Sequence, residues 1–370
     1  MTLTITLSRY IARQFVTAIT AAWVALSLLV AMFDFIELLR RSASKPDATF
    51  GLVGEIAGLR VPFIMIQILP FAVLLGGLLC FWRLTRTSEL IVARAAGVSA
   101  WEFLTVPTLG ALLMGAGTTA ALSPLSSAML ARAEALETAY IQTGGGPLAL
   151  NGGQLWLRQS DRELDPKGVA ILHASGVALH DEKLTTGPVS VFRLDDSDHL
   201  LSRIEASNAF LANKHWELGN ARTIRPDQLP EPPREMRLPT DLTVTRVQDS
   251  FASPDTLSVW VLPDFIALLE RSGFSSVRHR LHFQSLLALP LLCATMALVA
   301  AGFSMRPTRR GGVAKMIGGG VSAGFALFVI SKVAEEFGQS GGLPVLLAAW
   351  APAAAGLMLA VALLLHTEDG

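Results

Sequence analysis

The sequence predicts an α-helical membrane protein with six transmembrane helices and an inserted, external all-β domain of jelly-roll type. Three observations carry that expectation. Of the 370 residues, 51% are hydrophobic and only 16% charged, below the roughly one-quarter charge of soluble domains. Six apolar runs reach the ~20 residues that cross a hydrocarbon core of about 30 Å. Between the third and fourth runs lies a polar, net acidic stretch, while the rest of the chain is net basic. The expected organisation is 1–125 for the first three spans, 126–262 for the β domain and 263–370 for the last three spans.

The spans read, in order, as Phe15–Leu39, Gly58–Trp82, Ala100–Leu122, Leu281–Phe303, Val313–Ala334 and Leu343–Leu365. The first follows Arg9 and Arg13 as a signal peptide would. Its apolar stretch is too long for one, however, and no small-residue cleavage site follows, so it reads as a retained helix. Pro62 and Pro70 in the second span and Pro290 in the fourth each remove a helical hydrogen bond and are expected to kink their helices. Gly320 and Gly324 form a GxxxG in the fifth span, which permits close approach of a neighbouring helix, either a partner's first span or one from the same chain. Cys80 and Cys293 both fall inside apolar runs, where they read as small packing residues rather than a disulfide framework.

Basic residues set the orientation. Arg9, Arg13, Arg83, Arg86, Arg94, Arg306, Arg309, Arg310 and Lys315 fall on one side, against Arg40, Arg41, Lys45, Arg60 and Lys332 on the other. The richer side is expected to be cytoplasmic, which puts both termini there and the acidic block outside.

That block contains GGQLWLRQ, VSVFRL, LLSRIEASNAFL and KHWELGNARTI, separated by Gly, Asp, Asn and Pro clusters. Strands of this length at spacings near ten residues suggest a sandwich or jelly roll. PEPPREMRLP (Pro230–Pro239) reads as an extended edge or linker, because each Pro removes a ladder donor. SSAMLARAEALETAY is expected to prolong the third span, and PDFIALLERSG to lead into the fourth.

RTSELIVARAAG, Arg86–Gly97, occupies the short loop between the second and third spans. Ser88 or Thr87 can cap a helix start and Gly97 can close it. At helical spacing Arg86, Glu89, Leu90 and Arg94 fall within a sector of about 140°, opposite Ile91, Val92 and Ala95. The apolar face suits a bundle and the charged face suits a partner, though an interfacial loop obeying only the charge rule has the same pattern.

SELIVARAAG resembles the coupling-helix motif of the lipopolysaccharide-export permeases, the LptF/LptG family of ABC-transporter membrane subunits. RYIARQF, FIELLRRS, VPFIMIQILPFAVLLGGLL and LERSGFSSVRHRLHFQSLLALPLLCATMALVAAGFSMRP are similar to the family's first, second and fourth span regions, and FDFIELLRRS with LERSG favours the LptG type. The resemblance implies a heterodimer with an LptF-like subunit in the Gram-negative inner membrane. It implies two copies of a cytosolic LptB-like ATPase, which uses the ATP and Mg, and LptC-like and LptA-like proteins as the periplasmic bridge. Lipopolysaccharide would enter a cavity between the permeases and leave upward through β-jelly-rolls. By the same resemblance Glu89 would meet the ATPase, with Ser88, Leu90 and Arg94 beside it. No GxxxxGK followed by Ser or Thr occurs in the chain, so the energy is expected to come from the partner, with no cofactor or metal on this subunit.

Arg40, Arg41 and Lys45 lie at the external end of the first span, against the charge rule. Long side chains reaching for the interface would account for them. So would recognition of lipid A phosphates by bidentate arginine, as the resemblance implies. Arg60, Arg132, Arg278 and Arg280 are candidates for the same rim. The family pattern has a basic residue after the Val-Pro of the second span where this chain has Phe63. Asp34 and Glu37 read as ion-pair partners, Glu37 lying one rung from Arg41, since a proton relay would want an acid at mid-membrane. Phe33, Phe63, Ile66, Phe71, Phe325 and Phe328 are candidate apolar lining for acyl chains, or ordinary helix packing.

Other classes fit less well. An enzyme lacks HExxH, and His279 with His282 lacks a third ligand. A receptor with an external sensor would need a cytosolic signalling module, and only HTEDG follows Leu365. Permeases of other lipid or lipoprotein exporters typically have four spans.

Overall fold

The computed structural model describes residues 2–43, 45, 49–87, 89, 99–140, 148–151, 154–160, 168–180, 183–195, 199–212, 215–226, 228–240, 253–271, 275–304 and 313–368. The chain forms two compact units. One is Met1–Ile141 with Pro254–Pro263 and Val277–Gly370, and the other is Gln142–Ser253 with Asp264–Ser276.

The first unit is helical. It contains α1 (Thr2–Ser42), α2 (Phe50–Arg86), α3 (Ala100–Gly117) and α4 (Ser123–Tyr140), the last two joined by a π-helical turn at Thr118–Leu122. After α5 (Leu262–Arg271) come α6 (Val277–Ser304), α7 (Val313–Gln339) and α8 (Val345–Glu368). Among the described residues six helices are long and apolar enough to cross a membrane, and they match the six apolar runs in order, the last starting at Val345, just after its run begins at Leu343. The third is the unbroken column Trp101–Tyr140, 40 residues long. At 1.5 Å per residue it measures about 60 Å, twice the hydrocarbon thickness, so α4 prolongs the span beyond the membrane.

The ends and joints follow local chemistry. Thr49 caps α2 by accepting from Leu52 N at 3.3 Å, and Ser99 with Glu102 closes a reciprocal capping box on α3. The π turn displaces backbone from the α ladder. The Trp260 indole donates to the Ala120 carbonyl at 3.1 Å, and Thr119 Oγ1 donates to the Leu286 carbonyl on α6 at 3.0 Å. α2 runs continuously through Pro62 and Pro70, and α6 through Pro290.

α6 is the central helix. Of its apolar window 72% is buried, against 17% for α1 and for α7. Its Cys293, Met296 and Ala300 pack with Phe15 and Ile19 of α1 and Leu74, Leu78 and Phe81 of α2. Cys80 and Cys293 are free and buried. Small residues allow the crossings. A Cβ on Gly76 would lie 2.5 Å from the Ile19 Cα, and one on Gly115 would lie 2.6 Å from the Pro290 Cα. The GxxxG question also has an answer. A Cβ on Gly320 would meet Leu78 at 2.8 Å, and one on Gly324 would strike Leu74. That face is used within the chain, against α2.

The second unit is an antiparallel ten-stranded sheet with the order β1-β2-β3-β6-β7-β9-β8-β5-β4 and β10 on the far side of β9. The strands are β1 Leu148–Asn151, β2 Gln154–Ser160, β3 Val169–Ser175, β4 Ala178–His180, β5 Lys183–Thr186, β6 Val189–Leu194, β7 Leu200–Ala206, β8 Asn208–Ala212, β9 His215–Ile224 and β10 Arg234–Pro239. PEPPREMRLP thus ends in an edge strand, β10, which among the described residues pairs with β9 alone.

Two long hairpins carry the chain through both halves of the sheet. In one, β3 and β4 run against β5 and β6, with a crease where Gly187 N donates to Ser175 O at 2.8 Å. Gly176 there has φ +63°, a conformation that favours glycine. In the other, β7 and β8 lie end to end along the ten residues of β9. The crease is Ser207 opposite Gly219 and Asn220, and Asn220 has φ +52°. Bending both hairpins at these points curls the sheet over one core. Leu172, Val191 and Ile204 on one half share a cluster with Leu184, Leu211 and a fully buried Trp216 on the other, and Phe265 and Leu269 of α5 pack on it.

Candidate functional site

Two polar constellations stand at opposite ends of α1. The first lies near its start. Glu89 Oε1 accepts from Thr87 Oγ1 at 3.0 Å and from the Tyr10 hydroxyl at 3.3 Å. Tyr10 in turn accepts from Gln14 Nε2 at 2.5 Å. Thr87 closes α2, its N–H donating to Arg83 O at 3.0 Å, and the Arg86 guanidinium sits 5.5 Å from the Trp82 ring centroid. Glu89 is therefore tied to the beginning of the first span by a contact spanning 79 positions of sequence. Tyr10 was not a sequence candidate, and no local signal would have found it. Ser88, Leu90 and Arg94 lie outside the described residues.

The second constellation lies near the end of α1 and joins three helices. Arg40 grips Glu37 in a fork, Nε to Oε2 at 2.9 Å and Nη2 to Oε1 at 2.9 Å. Arg41 reaches the same Glu37 through Nε at 3.1 Å and Glu137 of α4 through Nη1 at 3.4 Å. Arg60 of α2 bonds Asp34 at 3.1 Å and also Glu137. Three arginines thus face three carboxylates. They fall into two classes. Arg40, Arg41 and Glu37 have side chains 77%, 50% and 38% exposed, whereas Arg60 and Glu137 are 18% and 6% exposed. The outer pairs are screened and weak, and the inner ones are a buried brace. Asp34 Oδ2 and Arg60 Nε are buried without a hydrogen-bond partner among the described residues.

Of the other basic candidates, Arg132 pairs with Glu55 at 2.9 Å. Lys45 follows α1, its N–H donating to Ser42 O at 2.9 Å, and Arg278 and Arg280 are exposed on the first turn of α6. Glu137 was missed as a site residue. The signal was present, since Leu130, Ala133 and Glu137 recur at helical spacing and all three are buried. An acid on a buried face requires a cationic partner.

The expected lining residues also divide. Phe33 and Phe325 are 59% and 57% exposed on the outer faces of α1 and α7. Phe71 and Phe328 pack on each other with ring centroids 5.0 Å apart. Ile66 packs partly against the helical core, and Phe63 is half-buried. His282 Nδ1 lies 3.2 Å from Asp255, and no group of three His, Cys, Asp or Glu that would hold a metal occurs among the described residues.

A family model described as "Lipopolysaccharide export system permease LptF/LptG" matches residues 9–366. The chain belongs to this family. Relatives carry the name "Lipopolysaccharide export system permease protein LptG". Those of Escherichia coli strains K12 and CFT073 are each 26% identical over 97% of this chain and 98% of their own length. The Haemophilus influenzae protein is 25% identical over 94% of each chain. The LptF/LptG match runs through all six membrane helices and the inserted sheet, so the resemblance seen in SELIVARAAG and FIELLRRS extends across both units.

Proposed function

We propose that the chain is the LptG-type permease subunit of an ABC transporter that extracts lipopolysaccharide from the inner membrane and passes it to a periplasmic bridge towards the outer membrane. Membership of the LptF/LptG family over residues 9–366 carries this reading. The subunit pairs with an LptF-like permease, each of the two docking one copy of an LptB-like cytosolic ATPase, and hands lipid to LptC-like and LptA-like proteins. It is not itself an enzyme, and no phosphate-binding loop motif occurs in its sequence. Both termini are cytoplasmic and the β unit is periplasmic, in keeping with the basic residues that flank the spans.

In this reading Glu89 meets the ATPase, and its bond to Tyr10 makes the start of α1 the first element to feel ATPase closure. At the far end of that helix, Arg40 and Arg41 with Arg60, Arg132, Arg278, Arg280 and Lys45 supply positive charge for lipid phosphates. The apolar faces bearing Phe33, Phe63, Ile66, Phe71, Phe325 and Phe328 take the acyl chains. ATPase closure then narrows the cavity and raises the lipid's free energy there, driving it to the β groove.

The test is Glu89→Arg in the full chain extracted with its partners. The variant is expected to fold and to assemble, but to hydrolyse ATP without transferring lipopolysaccharide. Transfer at the normal rate with normal ATPase content would refute the role of this loop. Extraction of the chain with ordinary phospholipid alone, lacking an ATPase and a second permease, would refute the transporter reading itself.

A further inference from the structure

We infer that Glu37 is a tethered stand-in for phosphate, and that it makes the rim selective for lipids bearing phosphomonoesters over ordinary phosphodiester lipids. The inference rests on the rim's role in the proposed function.

Its first support is geometric. One carboxylate receives three charge-assisted hydrogen bonds from two guanidinium groups, two from Arg40 at 2.9 Å and one from Arg41 at 3.1 Å. Planar forks of this kind accept phosphate as readily as carboxylate. Glu37 therefore fills the seat that a headgroup phosphate would take. The second support is the contrast with Glu137. Glu37 and Arg40 are exposed enough for exchange, while Glu137 is 6% exposed and anchors Arg41 through Nη1 and Arg60 from behind. When Glu37 swings away, Arg41 stays aimed. The third is the neighbourhood. Met32, Phe33 and Ile36 are exposed on the same helix immediately before the seat, so a ligand taking it meets charge and hydrocarbon together. An amphipathic phospholipid or phosphoglycolipid has that character.

Selectivity follows from charge. A tethered carboxylate competes at high effective concentration. A phosphodiester headgroup brings one negative charge and gains little by replacing another carboxylate. A phosphomonoester carries close to two at neutral pH, with more acceptor oxygens, and it displaces Glu37 with a net gain. The carboxylate thus acts against the abundant wrong lipid rather than for the right one.

The experiment uses the full chain with its co-extracted partners in nanodiscs, comparing retention of lipopolysaccharide, dephosphorylated lipopolysaccharide and phosphatidylglycerol by mass spectrometry. Glu37→Gln is isosteric and removes only the charge. It is expected to raise phosphatidylglycerol retention about fivefold, in line with the loss of weak exposed ion pairs, and to lower the preference for lipopolysaccharide by a similar factor. The double variant Glu37→Gln/Arg40→Gln restores the charge balance and is expected to lose that gain. An unchanged melting temperature establishes that both variants are folded. Unaltered preference in a folded Glu37→Gln complex overturns the inference while leaving the transporter reading intact. A wild-type complex that retains all three lipids equally overturns both.

Discussion

Replacing Arg60 by Gln should destabilise the helical unit more than replacing Glu137 by Gln, although the two side chains are direct partners. Arg60 holds two carboxylates, Asp34 at 3.1 Å and the buried Glu137. Its loss leaves Asp34 unpaired and Glu137 with only the longer 3.4 Å contact to Arg41. Breaking a buried ion pair from one side costs about 3–5 kcal/mol, mostly the penalty of the charge left behind. With side chains 18% and 6% exposed, the lower end of that range applies, about 3 kcal/mol. In Glu137→Gln, by contrast, Arg60 keeps Asp34 and Arg41 keeps Glu37. The loss is that of a buried hydrogen bond, about 1–2 kcal/mol. In the double variant the uncompensated charge at Glu137 disappears, so its cost should fall short of the sum by about 1–2 kcal/mol. Reversible denaturation of the purified chain by SDS in mixed micelles measures all three. Additivity within about 0.5 kcal/mol, or a larger cost for Glu137→Gln than for Arg60→Gln, would refute the brace.

Two further outcomes test the packing of each unit. Gly324→Leu places a side chain where Leu74 already lies; overpacking of about 1–3 kcal/mol should lower the melting temperature, whereas Gly318→Leu, with open space around its Cβ, should leave it unchanged. In the β unit, Trp216 is fully buried and its indole N–H has no hydrogen-bond partner among the described residues. Trp216→Ala should therefore cost about 3–5 kcal/mol, while Trp216→Phe, which removes the unmet donor, should cost far less; thermal unfolding followed by far-UV circular dichroism distinguishes them.

The separation between what was legible and what was not tracks the range of the interactions. The six spans are local facts of hydropathy, so Phe15–Leu39 and its five counterparts fall on the observed helices, with Leu343 and Pro344 lying just before the last of them. The stretches HWELGNARTI and VSVFRL were equally readable, because alternation and turn residues are local too, and they form β9 and β6. The curl of the sheet was expected only as a class. Its creases at Gly176 and Asn220 arise from which hairpin pairs with which, and pairing is a matter of register between distant segments.

At the site the same division is sharper. The Arg40–Glu37 fork is an i, i+3 contact and follows from helical geometry alone. The Glu89–Tyr10, Arg60–Asp34 and Arg60–Glu137 contacts join residues 79, 26 and 77 positions apart, and no periodicity within one helix encodes them. The GxxxG of α7 was visible in the sequence, but its partner was not, because small residues permit a close approach without naming the helix that makes it. The sequence by itself determined the spans, the inserted β unit and the family, since these rest on local periodicity and on motifs of contiguous residues. Only the tertiary structure decided which charges neutralise which, because ion pairing depends on the crossing of α1, α2 and α4, and those crossings are set by packing against helices elsewhere in the chain.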